Sequence, residues 1–316
     1  MISRYSLFDL HCDTALKLAH KNLPLSDNEE CHISLKKSEY LEKYAQIYAV
    51  FTPQSMNDDE GFRNFCNTAA YFNNELSKNI NVIAPLCKNG AQIEKSILEG
   101  KRVAILALED ARILNGNIER IDILSDYGVK FVTPVWGGLS CIGGAHNTDF
   151  GLSEFGKEAV RAMAAKGMVL DLSHASEKTA DDIIEAVSAV GGTAVATHSN
   201  SASVYGHTRN LRDRHFADIK TLGGLVGISL CPPHISDENS PGIDSIAKHI
   251  DRYMELGGED VISIGADLDG TSLPDGFHSI SDIYKIGQRL SELGYTDKQV
   301  SKIFFENAFR FATQKL

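Results

Sequence analysis

Residues 168–198 read MVLDLSHASEKTADDIIEAVSAVGGTAVATH, and the fold follows from this stretch. Its two ends, Met168–Ser173 and Thr193–Thr197, are short runs that are apolar on both parities, as strands buried on both faces should be. Between them, Ser176–Val190 carries helical spacing and opens on a capping-type serine in Ser176-Glu-Lys-Thr. A strand, a helix and a second strand in that order form a βαβ unit, which requires a parallel sheet.

The same rhythm extends in both directions. Six further runs read as strands: Ser6–His11, Tyr44–Phe51, Val103–Leu108, Lys130–Val135, Gly224–Leu230 and Val261–Ala266. Helical patterns separate them at Asp59–Asn79, Ala91–Glu99, Ile118–Tyr127, Ser153–Lys166, Arg212–Leu222 and Gly242–Leu256. Two more, Ser281–Leu293 and Asp297–Thr313, finish the chain. Eight strand–helix units in 316 residues predict an α/β protein, a (β/α)₈ TIM barrel with additional C-terminal helices. The competing doubly wound sheet lacks its Gly-rich phosphate turn after the first strand. No Pro/Ser-rich linker interrupts the chain, so residues 1–316 read as one domain. Lys17–Lys43 is irregular and reads as a loop over the barrel mouth.

Composition narrows the class. A net charge of −11 argues against nucleic acid or an anionic membrane surface as a partner. No apolar stretch is long enough to span a bilayer, and the start at Met1 shows no leader pattern. Six scattered cysteines without a CxxC pair read as reduced thiols, which points to the cytoplasm.

In such a barrel the chemistry comes from the carboxyl ends of the strands. The first run ends in His11-Cys12-Asp13, the third in Glu109, the fifth in His174, the sixth in His198 and the eighth in Asp267-Leu268-Asp269. On extended backbone His11 and Asp13 point to the same side, and Cys12 points away. Imidazole nitrogens with carboxylate oxygens suit zinc or a similar divalent ion. One carboxylate can serve two metals, with Glu109 as bridge, His11 and Asp13 on one ion and His174 and His198 on the other. Such a pair clamps a shared water and polarises a carbonyl. Asp267 is placed to take that water's proton and pass it to the leaving amine. Singly, each residue has an ordinary reading as a packed histidine, a helix-start acid or a turn residue. Five strand ends carrying ligand types together favour a site.

Taken in order, these residues resemble the membrane dipeptidase (renal dipeptidase) family of zinc peptidases, within the amidohydrolase superfamily. The matching segments are Asp9-Leu-His-Cys-Asp-Thr, Ala107-Leu-Glu109, Gly151-Leu-Ser-Glu-Phe-Gly156 and Gly167-Met-Val-Leu-Asp-Leu-Ser-His174. They continue with Thr197-His198-Ser199, Arg209-Asn210 and Ile264-Gly-Ala-Asp267-Leu-Asp-Gly270. The resemblance implies two Zn²⁺ per chain held by His11, Asp13, Glu109, His174 and His198, with Asp267 as catalytic acid/base. It also implies a dipeptide substrate whose terminal carboxylate is gripped by Arg209, tolerance for a D-residue on the carboxyl side, and a homodimer. Trp136 stands where the family's mammalian members carry a histidine that contacts the scissile group, so it enters as a substrate-binding position. His146, further along the same loop, is a second group that could serve there. Ser229-Leu-Cys231-Pro-Pro likewise departs from the family's aromatic, polar segment. The rival readings are a barrel hydrolase for another amide, lactone or cyclic imide, a non-catalytic ligand-binding barrel, and a mononuclear deaminase-type site.

Overall fold

The structure, a computed structural model, describes residues 5–238 and 240–316; Met1–Arg4, read above for a leader, lies outside them. The described residues form eight strands: β1 (Leu7–Cys12), β2 (Tyr44–Phe51), β3 (Val103–Glu109), β4 (Val129–Thr133), β5 (Val169–Asp171), β6 (Ala194–Val195), β7 (Val226–Ile228) and β8 (Ile262–Ile264). All pair in parallel, in the order β6-β5-β4-β3-β2-β1-β8-β7. The two outer strands meet at a parallel bridge between Ala196 and Val226, where Ala196 N donates to Leu225 O (2.9 Å) and Gly227 N to Ala196 O (2.8 Å). That seam makes the sheet a nearly closed (β/α)₈ barrel, as the sequence predicts.

Twelve α-helices accompany the strands among the described residues: α1 (Thr14–Lys21), α2 (Asp58–Lys78), α3 (Gly90–Leu98), α4 (Arg120–Tyr127), α5 (Glu154–Ala165), α6 (Glu177–Ala189), α7 (Asp213–Thr221), α8 (Pro232–Ile235), α9 (Ile243–Glu255), α10 (Tyr284–Glu292), α11 (Asp297–Ser301) and α12 (Asn307–Lys315). Ser153 and Ser176 cap α5 and α6 as their positions predict, accepting from Gly156 N (2.9 Å) and Thr179 N (3.0 Å).

Strand parity divides the core in two. Ala104, Leu106 and Leu108 of β3 pack outward among the helices, while Val103, Ile105 and Ala107 belong to a separate cluster with Phe8, Ile47 and Phe131 inside the barrel. Phe305, Ala308 and Phe311 join that inner cluster and plug the amino end of the barrel. Glu109, next on the inward parity of β3, therefore arrives at the opposite end, where the carboxyl ends of the strands open.

Three elements differ from the sequence reading. Residues 14–21 form a helix, so the irregular connection begins only after Lys21. Pro232 and Pro233 start a short helix after β7. The helix expected over Asp297–Thr313 is broken by a π-helical turn at Lys302–Glu306, whose extra residue per turn lets Ile303, Phe304 and Phe305 all be buried. All six cysteines are unpaired. No helix among the described residues is long and apolar enough to cross a membrane.

Candidate metal centre

His11 reaches the site through an irregularity in β1. Asp9 lies opposite Gln46 and Cys12 opposite Tyr48, so β1 carries one more residue than its partner over this span. Bulges of this kind re-aim side chains, and they concentrate beside active sites. Asp13 follows with φ −100° and ψ 13°, no longer extended. His11 and Asp13 thus meet through a bulge and the first turn of α1, and not through strand alternation. Cys12 packs outward, as expected.

All five proposed ligands and Asp267 converge. His11 Nε2 lies 3.4 Å from Glu109 Oε2 and 3.8 Å from Asp13 Oδ2. His174 Nε2 and His198 Nε2 lie 3.0 and 3.7 Å from the other oxygen, Glu109 Oε1. One group of ligand atoms within 4.8 Å of one another comes from His11, Glu109 and His198, and a second from His11, Asp13 and Asp267. Glu109 thus turns Oε2 toward His11 and Oε1 toward His174 and His198. At Gly270, a Cβ would lie 2.2 Å from both Asp13 Oδ2 and Asp267 Oδ1. Only glycine leaves room for those two carboxylates to face each other.

The donor chemistry fits divalent cations. His11 Nε2 and Asp13 Oδ1 are buried without a hydrogen-bond partner among the described residues. His174 Nε2 and His198 Nε2 come within 3.1 Å of each other beside one carboxylate oxygen. Buried groups so placed call for a cation, since burying them uncompensated is costly. Electrostatics agree with that reading. Burial, helped by Arg209 and His11, holds His174 and His198 well below the usual imidazole range, so their nitrogens keep free lone pairs. Burial pushes the Glu109 and Asp267 carboxyls up by stripping water from the charged form, and neighbouring carboxylates add to the effect while His11 opposes it. Burial alone would lower His11, but Glu109 and Asp13 more than reverse it.

The backbone is unusual here as well. His174, Asp267 and Asp269 have φ of 69°, 58° and 70°, in the left-handed region that side chains other than glycine rarely occupy. Strain of this kind is held where function needs it.

Above the carboxylates lies a cavity of about 430 Å³. Leu16, Phe51 and Trp136 form its apolar wall, with the Trp136 ring 4.8 Å from Phe51 and stacked 5.5 Å from His174. Arg209 lies opposite, 4% exposed, donating from Nη1 to Ser199 Oγ (2.9 Å) and from Nη2 to His198 O (3.1 Å). Its Nε is unsatisfied, and it forms no ion pair among the described residues. A buried guanidinium without a carboxylate is costly unless an anion arrives. His146 and His234 also line the cavity. The latter reads in the sequence as ordinary packing, and nothing in its immediate sequence distinguishes it. Gly270 is equally silent, because its role depends on Asp13 from the far end of the chain.

Comparison with known proteins fits this geometry. A family model described as membrane dipeptidase, peptidase family M19, matches residues 1–315. A Klebsiella pneumoniae protein known only as uncharacterised, from the pqqA 5′ region, is 28% identical over 239 residues, covering 71% of this chain and 86% of its own length. Among solved structures, a Rhodobacter sphaeroides metallopeptidase, liganded with a phosphinate mimic of the dipeptide L-Ala-D-Ala, superposes with a TM-score of 0.91 at 21% identity. That match covers 99% of this chain and 100% of the other. The probable dipeptidase PvdM of Pseudomonas aeruginosa gives 0.88 at 17% identity, over 99% and 96%. At such identities the likeness is one of fold.

Proposed function

Because this chain belongs to the membrane dipeptidase family, peptidase family M19, we propose that it is a zinc-dependent dipeptidase with a two-metal site. The observation that carries the proposal is Glu109, whose Oε2 faces the buried His11 and whose Oε1 faces the buried His174 and His198. His11 and Asp13 would hold one ion, His174 and His198 the other, and Glu109 both. Bound there, the ions would polarise the scissile carbonyl and lower the pKa of a water held between them. Asp267, half-buried and pushed up in pKa, is suited to accept a proton from the attacking water and deliver it to the leaving nitrogen.

Arg209 fits the substrate's terminal carboxylate, which would supply the anion its buried guanidinium lacks; a planar fork meets a carboxylate with two hydrogen bonds. Trp136 packs with Phe51 and Leu16 against the substrate's apolar surface, a role that needs no charge. A cavity of about 430 Å³ suits two residues better than a longer peptide. The dipeptide mimic bound by the Rhodobacter protein, with its D-alanine, agrees with a small substrate and tolerance on the carboxyl side. We read residues 1–316 as one domain working in the cytoplasm, as a homodimer.

Elemental analysis of wild type beside Glu109→Ala tests the site, followed by assays on L,L- and L,D-dipeptides. About two zinc ions per chain, both depleted in the variant, are expected. One ion or none in protein never exposed to chelator overturns the two-metal reading.

A further inference from the structure

Two of the three histidines at this centre share a partner on the side away from the cavity. Thr197 Oγ lies 2.8 Å from His198 Nδ1 and 3.3 Å from His11 Nδ1. The same hydroxyl lies 2.5 Å from Asp171 Oδ2. Asp171, at the end of β5 and 1% exposed, is saturated with donors. Its Oδ1 accepts from Ser173 N and Thr197 N, both at 2.9 Å, and its Oδ2 also accepts from Thr133 Oγ at 2.9 Å. The Thr197 carbonyl is gripped too: a Cβ on Gly227 or Gly265 would lie 1.9 or 1.8 Å from it. Thr197 is therefore held by its amide, its carbonyl and its hydroxyl.

A hydroxyl has one proton and two lone pairs, and a carboxylate can only accept. The Thr197 proton goes to Asp171, so both lone pairs face histidine nitrogens. Those nitrogens must then donate, which places the ring proton on Nδ1 and leaves Nε2 bare. In both rings Nε2 is the atom directed at Glu109.

We propose that Thr197, oriented by Asp171, is a positioning residue that sets the tautomer and aim of His11 and His198 together, one for each metal. The inference rests on the two-metal reading above. Metal-binding histidines depend on such outer partners, whose loss costs ~10–100-fold in metal affinity. Because the hydrogen bond to His198 is the shorter, the metal position bearing His198 should suffer more. His174 is the contrast: its Nδ1 is buried without a partner among the described residues, and it does not depend on Thr197.

The test is zinc binding by competition with a chelator in wild type, Thr197→Val and Thr197→Ser. Valine keeps the shape and removes the hydroxyl; serine keeps the hydroxyl. The expected result is a ~10–100-fold loss for valine, largest for one of the two ions, and near-wild-type binding for serine. Cadmium-113 loading of ¹⁵N-histidine-labelled wild type gives a second readout that needs no variant to fold. It should couple the metal to Nε2 of His11 and His198, with a proton on each Nδ1. Unchanged zinc binding in Thr197→Val, equal loss in the serine variant, or metal on Nδ1 overturns the proposal. Wild type that binds no zinc fells the two-metal reading and this inference with it. Two tightly held ions with an indifferent valine variant fell this inference alone.

Discussion

Arg209 is buried, Asp267 half-buried, both are ionisable, and the surroundings of each decide its proposed task. Desolvation, with the Asp13 and Glu109 carboxylates beside it, pushes the Asp267 carboxyl up, so Asp267→Asn should lower kcat by ~10²–10⁴-fold while both metals stay bound, as turnover and elemental analysis together would report. Arg209 makes no ion pair among the described residues, so Arg209→Lys should raise KM for dipeptides much more than it lowers kcat, because an ammonium cannot reproduce the fork. Gly270 has no functional group at all, yet Gly270→Ala should empty the site. Its new methyl would displace Asp13 or Asp267, which zinc content and circular dichroism would separate from misfolding. The histidines and acids of this centre are legible in the sequence because each follows an apolar run that can be recognised as a strand. Thr197, Asp171 and Gly270 stand in the matching segments, but their parts are not legible there, since these depend on neighbours that only barrel closure brings near.

At the scale of elements, what the sequence conceals is where one kind of structure changes into another. The strand runs of β2 and β3 agree with the structure within a residue because both faces are almost wholly buried and, apart from Gln46 and the terminal Glu109, apolar. Helix α1 is hidden because Asp13 stands at its start without capping it by a side-chain hydrogen bond; that carboxylate faces the site instead. The π-helical turn at Lys302–Glu306 is hidden because it shifts the apolar spacing within an otherwise helical run. The turn after β8 shows how elements hold the centre. Asp269 accepts from Thr14 Oγ (2.6 Å) and Lys17 Nζ (2.9 Å) of α1 and from His32 N (2.8 Å) of the following connection, while its own amide donates to His32 Nδ1 (2.9 Å). Asp269→Asn should free this clamp: faster amide exchange across residues 22–43 and slower turnover are expected, with the remaining strands protected as before.

For the whole molecule, two responses follow. Ions bound only by the folded chain stabilise it by mass action, about 2.7 kcal/mol at a hundredfold excess over Kd, so chelation should lower the melting temperature and zinc should restore it. Acid should act separately. His249 is fully buried and held below its usual range by that burial, its Nδ1 accepting from Ser201 N (3.1 Å) and its Nε2 facing Ile235 O (2.8 Å). His146 and His234 are likewise lowered by burial, to about 4 and about 2. Below about pH 6.5 the unfolded chain takes up protons that these folded sites refuse, so stability should fall as pH drops through that window. Urea midpoints between pH 7.5 and 5 would measure the slope, and His249→Gln should flatten it. The barrel's closure has a further consequence in time. Thr14 and Asp269 touch across 255 residues of chain. At ~5–20 residues per second, a ribosome releases the second roughly 13–51 s after the first. By residue 198 the growing chain already holds all five proposed metal ligands but not yet Asp267, so a polypeptide halted before β8 should be catalytically silent however well its earlier strands had formed.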